Sequence, residues 1–214
     1  RGIDTQGDVA TWGFYATPEN GSGRLCASVS VAGGRVLTLL WDGAPPQAAM
    51  DEEQAYQAAV DMVAEKGLHG MIPQYRQLEE GMLLVTFAYR QGEVLCYADQ
   101  IKVQVSLADF SLMGWEATNY YLHHHQRDIP APVLSMEEAE AMLRQGLTVA
   151  GRQLALIPAE TGAEVLCYEF KVDNGGQTYL IYINAATGHE EEIFKLVENE
   201  NGMLIIEDTS KSRL

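Results

Sequence analysis

Three consecutive imidazoles, His123, His124 and His125, are the most conspicuous metal-ligating side chains in the sequence. Zinc requires its ligands to converge on one point in a tetrahedron. Neighbouring side chains point to opposite faces of a strand, or about 100° apart around a helix, so three in a row do not converge without a distorted loop. The run is expected to be a polar segment following a strand. Glu190, Glu191, Glu192, Glu198 and Glu200 offer carboxylates for acid and base work or for calcium. With no Asp-x-Asp-x-Asp-Gly loop to order them, they read as a solvated acidic face. His189-Glu190 lacks the second His of a zinc-protease helix, and neither a Gly-x-Ser-x-Gly elbow nor a Gly-Lys-Ser phosphate loop is present. Cys26, Cys96 and Cys167 each sit in an apolar run. Paired on paper with His123 or His189 they would make a nucleophile couple, but thiols among Leu and Tyr read as inert core. The sequence therefore predicts no catalytic residue, no metal and no cofactor.

Binding chemistry is better represented. Trp41, Trp115, Tyr120 and Tyr121 follow strand-like runs and are the candidate partner-binding residues, since exposed aromatics anchor protein interfaces. Core packing is the competing reading for each. The charge narrows the class of partner: 14 Lys and Arg against 30 Asp and Glu give a net charge of −16. That field repels phosphate backbones and anionic lipid headgroups, so neither nucleic acid nor direct membrane contact is expected. No apolar run approaches the roughly 18 residues that span a bilayer.

The elements that must position these residues recur along the chain. Asp51 with Gln54 three residues on has the form of a capping box, followed by Ala55, Ala59, Met62 and Val63 at helical spacing and closed by Lys66 and Gly67. Ser135 with Glu138, then Ala139, Met142 and Leu143, then Arg144 and Gly146, repeats the grammar 84 residues later. Each helix is followed by strand patterns. Ile101, Val103, Val105 and Leu107 alternate with polar residues, and runs 164–172 and 177–183 are joined by Asp173-Asn174-Gly175-Gly176, a tight-hairpin sequence. The strands end in Asp109 with Gly114 and in Asn184 with Gly188; Trp41-Asp42-Gly43 ends a strand in the same way, with no helix ahead of it.

These patterns predict an α+β chain of tandem units, each a helix on an antiparallel sheet: a strands-only partial unit over 1–46, then complete units over 47–128 and 129–214. Pro45-Pro46 and Asp128-Ile129-Pro130-Ala131-Pro132 mark the junctions. The segments carry net charges of −1, −7 and −8, so the two complete units look alike. Glu-Val-Leu-Cys-Tyr occurs at 93–97 and again at 164–168, suggesting a register that disagrees with the turn-anchored one. Small units are expected to share strand edges, and the partial unit leaves sheet surface that a second copy could cover, so the oligomeric state stays open.

Three stretches stand out together: Tyr97-Ala98-Asp99-Gln100-Ile101-Lys102-Val103-Gln104-Val105-Ser106-Leu107-Ala108-Asp109, the link His124-His125-Gln126-Arg127-Asp128-Ile129-Pro130-Ala131-Pro132, and Leu166-Cys167-Tyr168-Glu169-Phe170 with Tyr182-Ile183-Asn184-Ala185-Ala186-Thr187-Gly188. They resemble the YpeB family of spore germination proteins. Gly67-Leu68-His69-Gly70-Met71-Ile72-Pro73 fits as well. The resemblance implies PepSY repeats and a non-enzymatic accessory of endospore germination. Its implied partner is the spore cortex-lytic enzyme, a peptidoglycan lytic transglycosylase that it binds, stabilises or inhibits. The implied location is extracytoplasmic, at the inner spore membrane or cortex, through an anchor outside this chain. A general extracytoplasmic peptidase inhibitor is the alternative, and a glycan-cleaving carboxylate pair that includes Glu191 is a third possibility.

Overall fold

The computed structural model describes residues 2–6, 9–19, 23–44, 51–159, 163–199 and 202–207. The chain is α+β, as the alternation of patterns predicts. The first four strands are β1 (Gly2–Gln6), β2 (Val9–Ala16), β3 (Leu25–Ser30) and β4 (Val36–Trp41). Helix α1 (Glu52–Glu65) then leads into β5 (Met71–Glu79), β6 (Met82–Gln91), β7 (Val94–Ser106) and β8 (Leu112–Glu116), with helix α2 (Thr118–His123) after them. Helix α3 (Met136–Glu140) leads into β9 (Thr148–Pro158), β10 (Glu164–Asn174), β11 (Gln177–Asn184) and β12 (Glu190–Asn199), followed by β13 (Gly202–Glu207).

One turn fixes the register of the repeat. Between the third and fourth strand of each set, a polar residue closes its backbone on the residue five positions on: Ser30 N–H to Arg35 O at 2.8 Å, Ser106 N–H to Ser111 O at 3.0 Å, and Asn184 N–H to His189 O at 2.8 Å. The polar side chain also accepts backbone amides inside its own turn: Arg35 N–H on Ser30 Oγ, Ala108 and Asp109 N–H on Ser106 Oγ, Ala186 and Thr187 N–H on Asn184 Oδ1. The fourth residue after the polar one enters the left-handed region each time, at Gly34 (φ 61°), Phe110 (φ 59°) and Gly188 (φ 75°). The register therefore differs from the expected one. Gly188 corresponds to Phe110, not to Gly114, and the first copy is anchored at Ser30–Arg35, not at Trp41-Asp42-Gly43. Asp109 sits within the second turn. The Ser111 hydroxyl, then that of Ser106, holds its carboxyl below the ordinary range.

The chain forms two compact units. The first holds residues 1–88 and 99–124, and its strands lie in the order β1-β2-β3-β4-β8-β7-β6-β5. Helix α1 covers one face. Ala55, Ala59 and Val63, four residues apart, bring it onto Leu83, Val85 and Phe87 of β6 and Ile101, Val103 and Val105 of β7. Alanine at the contact lets the helix axis approach the sheet, and the aromatic and branched residues come from the strands. The Asp51 carboxylate caps the helix by accepting Gln54 N–H at 3.0 Å. The expected reciprocal bond is replaced, because the Asp51 amide already donates to Leu107 O at 3.1 Å and the Gln54 amide turns to the Asp51 carboxylate at 2.7 Å.

The second unit holds residues 89–98 and 125–214, with strands in the order β13-β12-β11-β10-β9. Both Glu-Val-Leu-Cys-Tyr segments lie here, and they flank one strand. Leu95 of β7 pairs in parallel with Ala155 of β9, and Cys167 of β10 pairs with the same Ala155 from the antiparallel side. They are neighbours across β9, not equivalent positions of the repeat. The Gly175-Gly176 hairpin forms as expected, with φ of 63° and 87° and Asn174 opposite Gln177. Ser135 and Glu138 make the full capping box at 2.8 and 3.2 Å. The helix behind it is shorter than its pattern predicts. After Glu140 the bonds tighten to Met142 N–H on Ala139 O and Leu143 N–H on Glu140 O, a three-residue spacing that rotates the next side chains off the helical stripe. Ala139 is buried, but Met142 is 56% exposed.

Candidate partner-binding surface

The four candidate aromatics fall into two pairs. Trp115 and Tyr120 are buried in the core beneath α1, where Trp115 Nε1–H donates to Val36 O at 3.2 Å. Tyr120 stacks on His124 with ring centroids 4.4 Å apart. Packing has won at both positions, and neither presents a ring to a partner. Tyr121 is half-buried, with the Arg35 guanidinium 5.9 Å above its ring. Trp41 is also half-buried, and its indole lies close against the backbones of two glycines: a Cβ on Gly43 would stand 2.5 Å from its Nε1, and one on Gly23 would stand 2.6 Å from its ring.

Strand register explains how Trp41 relates to the core. Phe14, Ala27, Leu39, Trp115 and Val103 lie side by side across five strands on the face that α1 covers. Ala16, Leu25 and Trp41 form the next row. The first copy has no helix among the described residues, so the apolar face that is closed at β7 stays partly open at β2, where Phe14 is 41% exposed. Sequence reading missed Phe14 because none of the three aromatics in Thr-Trp-Gly-Phe-Tyr carries a face assignment until the register is known.

The three consecutive histidines have separate surroundings. His123 ends α2, His124 turns inward to place Nδ1 2.8 Å from the fully buried Asp99 carboxylate, and the His125 carbonyl accepts from Arg127. No group of three metal-ligating side chains occurs among the described residues. Glu190 is exposed, and Glu191 accepts the Asn184 amide at 2.8 Å, bracing the turn. The side chain of Glu198, and all of Glu200, lie outside the described residues. Sequence reading also passed over Arg127 and Glu169, both buried. Arg127 forms a two-pronged pair with Glu164, and Glu169 accepts Tyr97 O–H at 2.6 Å and the Gln153 amide at 2.8 Å.

Of the cysteines, Cys96 and Cys167 are buried and Cys26 is half-buried. Burial, with the nearby Glu191 charge, pushes the Cys167 thiol up to about 12, which leaves almost no thiolate at neutral pH. Ellman's reagent at pH 8 is expected to titrate Cys26 alone in the native protein and all three thiols in urea. Rapid native labelling of Cys167 would contradict this.

Residues 2–130 match the family described as YpeB sporulation, PepSY1 and PepSY2 domains. The chain belongs to the YpeB sporulation family. Residues 133–194 match a second description, the peptidase propeptide and YPEB domain, so the repeats are PepSY repeats. Among YpeB relatives, the sporulation protein YpeB of Halalkalibacterium halodurans is 43% identical over 114 residues, covering 53% of this chain and 26% of that protein. That of Oceanobacillus iheyensis is 30% identical over 168 residues, covering 78% of this chain and 38% of that protein. The chain thus aligns with well under half the length of each of these YpeB proteins. The solved Bacillus megaterium YpeB C-terminal domain superposes with a TM-score of 0.80 at 29% identity, covering 92% of this chain and 88% of that one. Among the described residues no helix is long and apolar enough to cross a membrane.

Proposed function

We propose that this chain is a non-enzymatic regulator of endospore germination that binds the spore cortex-lytic enzyme, a peptidoglycan lytic transglycosylase, and stabilises it or holds it inactive. It would act outside the cytoplasm, at the inner spore membrane or cortex. The observation that carries the reading is the partly open apolar face of the first copy, with Trp41 packed against the backbones of Gly23 and Gly43 and Phe14 two strands away on the same face. A ring fixed in place before contact loses little conformational freedom on docking, the usual property of an interface anchor. Membership of the sporulation family supplies the setting.

The test is a titration of the full chain with purified lytic enzyme, alongside a cortex-hydrolysis assay. Association at micromolar concentration or tighter is expected, with Trp41→Ala weakening it about 30-fold or more. Phe14→Ser, at an exposed position, is expected to weaken it too and serves as the variant least able to disturb folding. No association at micromolar concentration would remove the proposal. The description of residues 133–194 as a peptidase propeptide domain favours a second reading, a general peptidase inhibitor. Loss of protease activity on adding the chain, with cortex hydrolysis unaffected, would select it.

A further inference from the structure

The opposite face of the first unit's sheet, away from α1, forms an open groove of about 740 Å³. Register arranges its floor into two rows that run across the strands. One row is polar: Gly13, Ser28, Thr38, Glu116 and Lys102 are successive cross-strand partners on β2, β3, β4, β8 and β7. The next is mostly apolar: Tyr15, Cys26, Leu40 and Gly114, ending in Gln104. Tyr15 is 70% exposed and Leu40 is 52% exposed, so the apolar row meets solvent. Gln104 covers Gly114, where a Cβ would collide with its Oε1, and its amide is held by Glu79 at 3.3 Å.

We infer that this groove binds an extended, uncharged glycan of N-acetylated amino sugars. Strands lie about 4.8 Å apart, so each row offers one side chain per step over about 19 Å, close to the rise per sugar of an extended β-linked chain. A pyranose is itself two-sided. Its C–H face packs on an aromatic ring such as Tyr15, and its hydroxyls meet donors and acceptors such as Ser28 and Thr38. Lys102 and Glu116 stand directly opposite each other, a donor beside an acceptor, which matches the carbonyl and N–H of an acetamido group. An extended peptide fits less well, because β3, β4, β8 and β7 use their backbone groups in the ladder and leave a peptide's main chain unpaired. The net charge of −16 disfavours a polyanion.

The inference deepens the proposed function and rests on it only for the natural source of the glycan, the cell-wall polymer that the partner enzyme cuts. Its test uses the full chain with N-acetylglucosamine tetrasaccharide by calorimetry, then co-sedimentation with chitin and with cortex peptidoglycan stripped of stem peptides by an amidase, the lactyl carboxylates so exposed being capped as neutral amides. Saturable tetrasaccharide binding is expected, weakened about tenfold or more by Tyr15→Ala and by Lys102→Ala, both at exposed positions, and unchanged by Val133→Ala in the other unit. Retention on stripped cortex but not on chitin would support it and assign the source to cortex; retention on both would support it with the amino-sugar chain alone as determinant. No binding at millimolar tetrasaccharide, binding unaltered in both groove variants, or retention only on cortex with intact stem peptides would each overturn it. Enzyme association is read separately, so its loss with glycan binding intact would overturn the proposed function alone.

Discussion

Arg127→Ala is expected to destabilise the second unit by about 3 to 5 kcal/mol, the range for stripping one partner from a buried ion pair. The Arg127 side chain is only 4% exposed, and its guanidinium engages Glu164 with both prongs, Nε to Oε2 at 2.7 Å and Nη2 to Oε1 at 2.8 Å. A third donor, Nη1, reaches the His125 carbonyl at 3.2 Å. Truncation leaves a partly desolvated carboxylate without its counter-charge, so most of the cost is the orphaned charge and not the lost bonds. The clasp between the Arg127 backbone and Gln91, at 3.0 and 2.7 Å, survives the substitution, which limits the damage to the side chain. Glu164 is 22% exposed and can recover some hydration, which places the effect toward the lower end of the range. Arg127→Lys should recover less than half, because a point charge cannot match both carboxylate oxygens. Removing both charges in Arg127→Met with Glu164→Leu should cost less than Arg127→Ala. Urea unfolding with matched slopes distinguishes these results, and a loss below about 1 kcal/mol for Arg127→Ala would mean that solvent already screens the pair.

How much of this was legible in the sequence depended on whether a residue's task was local. The helix starts were readable because a cap is made within three residues, and Ser135 with Glu138 forms just the bonds its spacing implies. The Gly175-Gly176 hairpin was readable for the same reason: both positions need positive φ, which glycine supplies. The repeat's anchoring turn was missed because its polar position is filled by Ser, Ser and Asn, and its left-handed position by Gly, Phe and Gly. The shared feature is a hydrogen-bonding geometry, not a residue type. Phe110 shows why: its ring packs against the core under α1, and that contact offsets a backbone conformation unfavourable to any side chain.

Non-local tasks were the least legible. Trp115 and Trp41 stand on the same sheet face and look equivalent in sequence, yet one is covered by α1 and the other belongs to the copy with no described helix. The two groove rows likewise exist only through pairing across five strands, with Ser28, Thr38 and Glu116 nearly 90 residues apart at the extremes. His124 was grouped with its neighbours as one polar run, but its ring leaves that run to meet Asp99, 25 residues earlier in sequence. In each case the sequence holds the residue type, and tertiary pairing decides whether it becomes core, anchor or lining.

The brevity of α3 makes it unusually dependent on the core beside it, where Phe170 packs next to Tyr168. Ala139 is the helix's only buried residue, and it rests on a cluster whose largest fully buried member is Phe170, with Val172, Ile181, Ile183 and Ile193 around it. Five residues of helix are far too few to persist alone, so α3 exists because the sheet gives Ala139 a surface to bury. Phe170→Ala is expected to cost about 3 to 5 kcal/mol, the usual range for deleting a buried phenyl group. Part of that loss should be local. With the ring gone, Met136, Leu143 and Leu147, which pack only partly buried against the same cluster, lose the surface that orients the segment behind the capping box. Amide exchange should therefore speed up at Ala139, Met142 and Leu143, whose N–H groups close the short helix and its tightened end. The Gly175-Gly176 hairpin should keep more of its protection, since its bonds are made by strand pairing and not by helix packing. Phe170→Leu keeps most of the volume and should cost about 1.5 kcal/mol or less, leaving those amides protected. A uniform rise in exchange across the whole second unit in Phe170→Ala would argue instead that helix and sheet unfold as one cooperative block, with no separate step for α3.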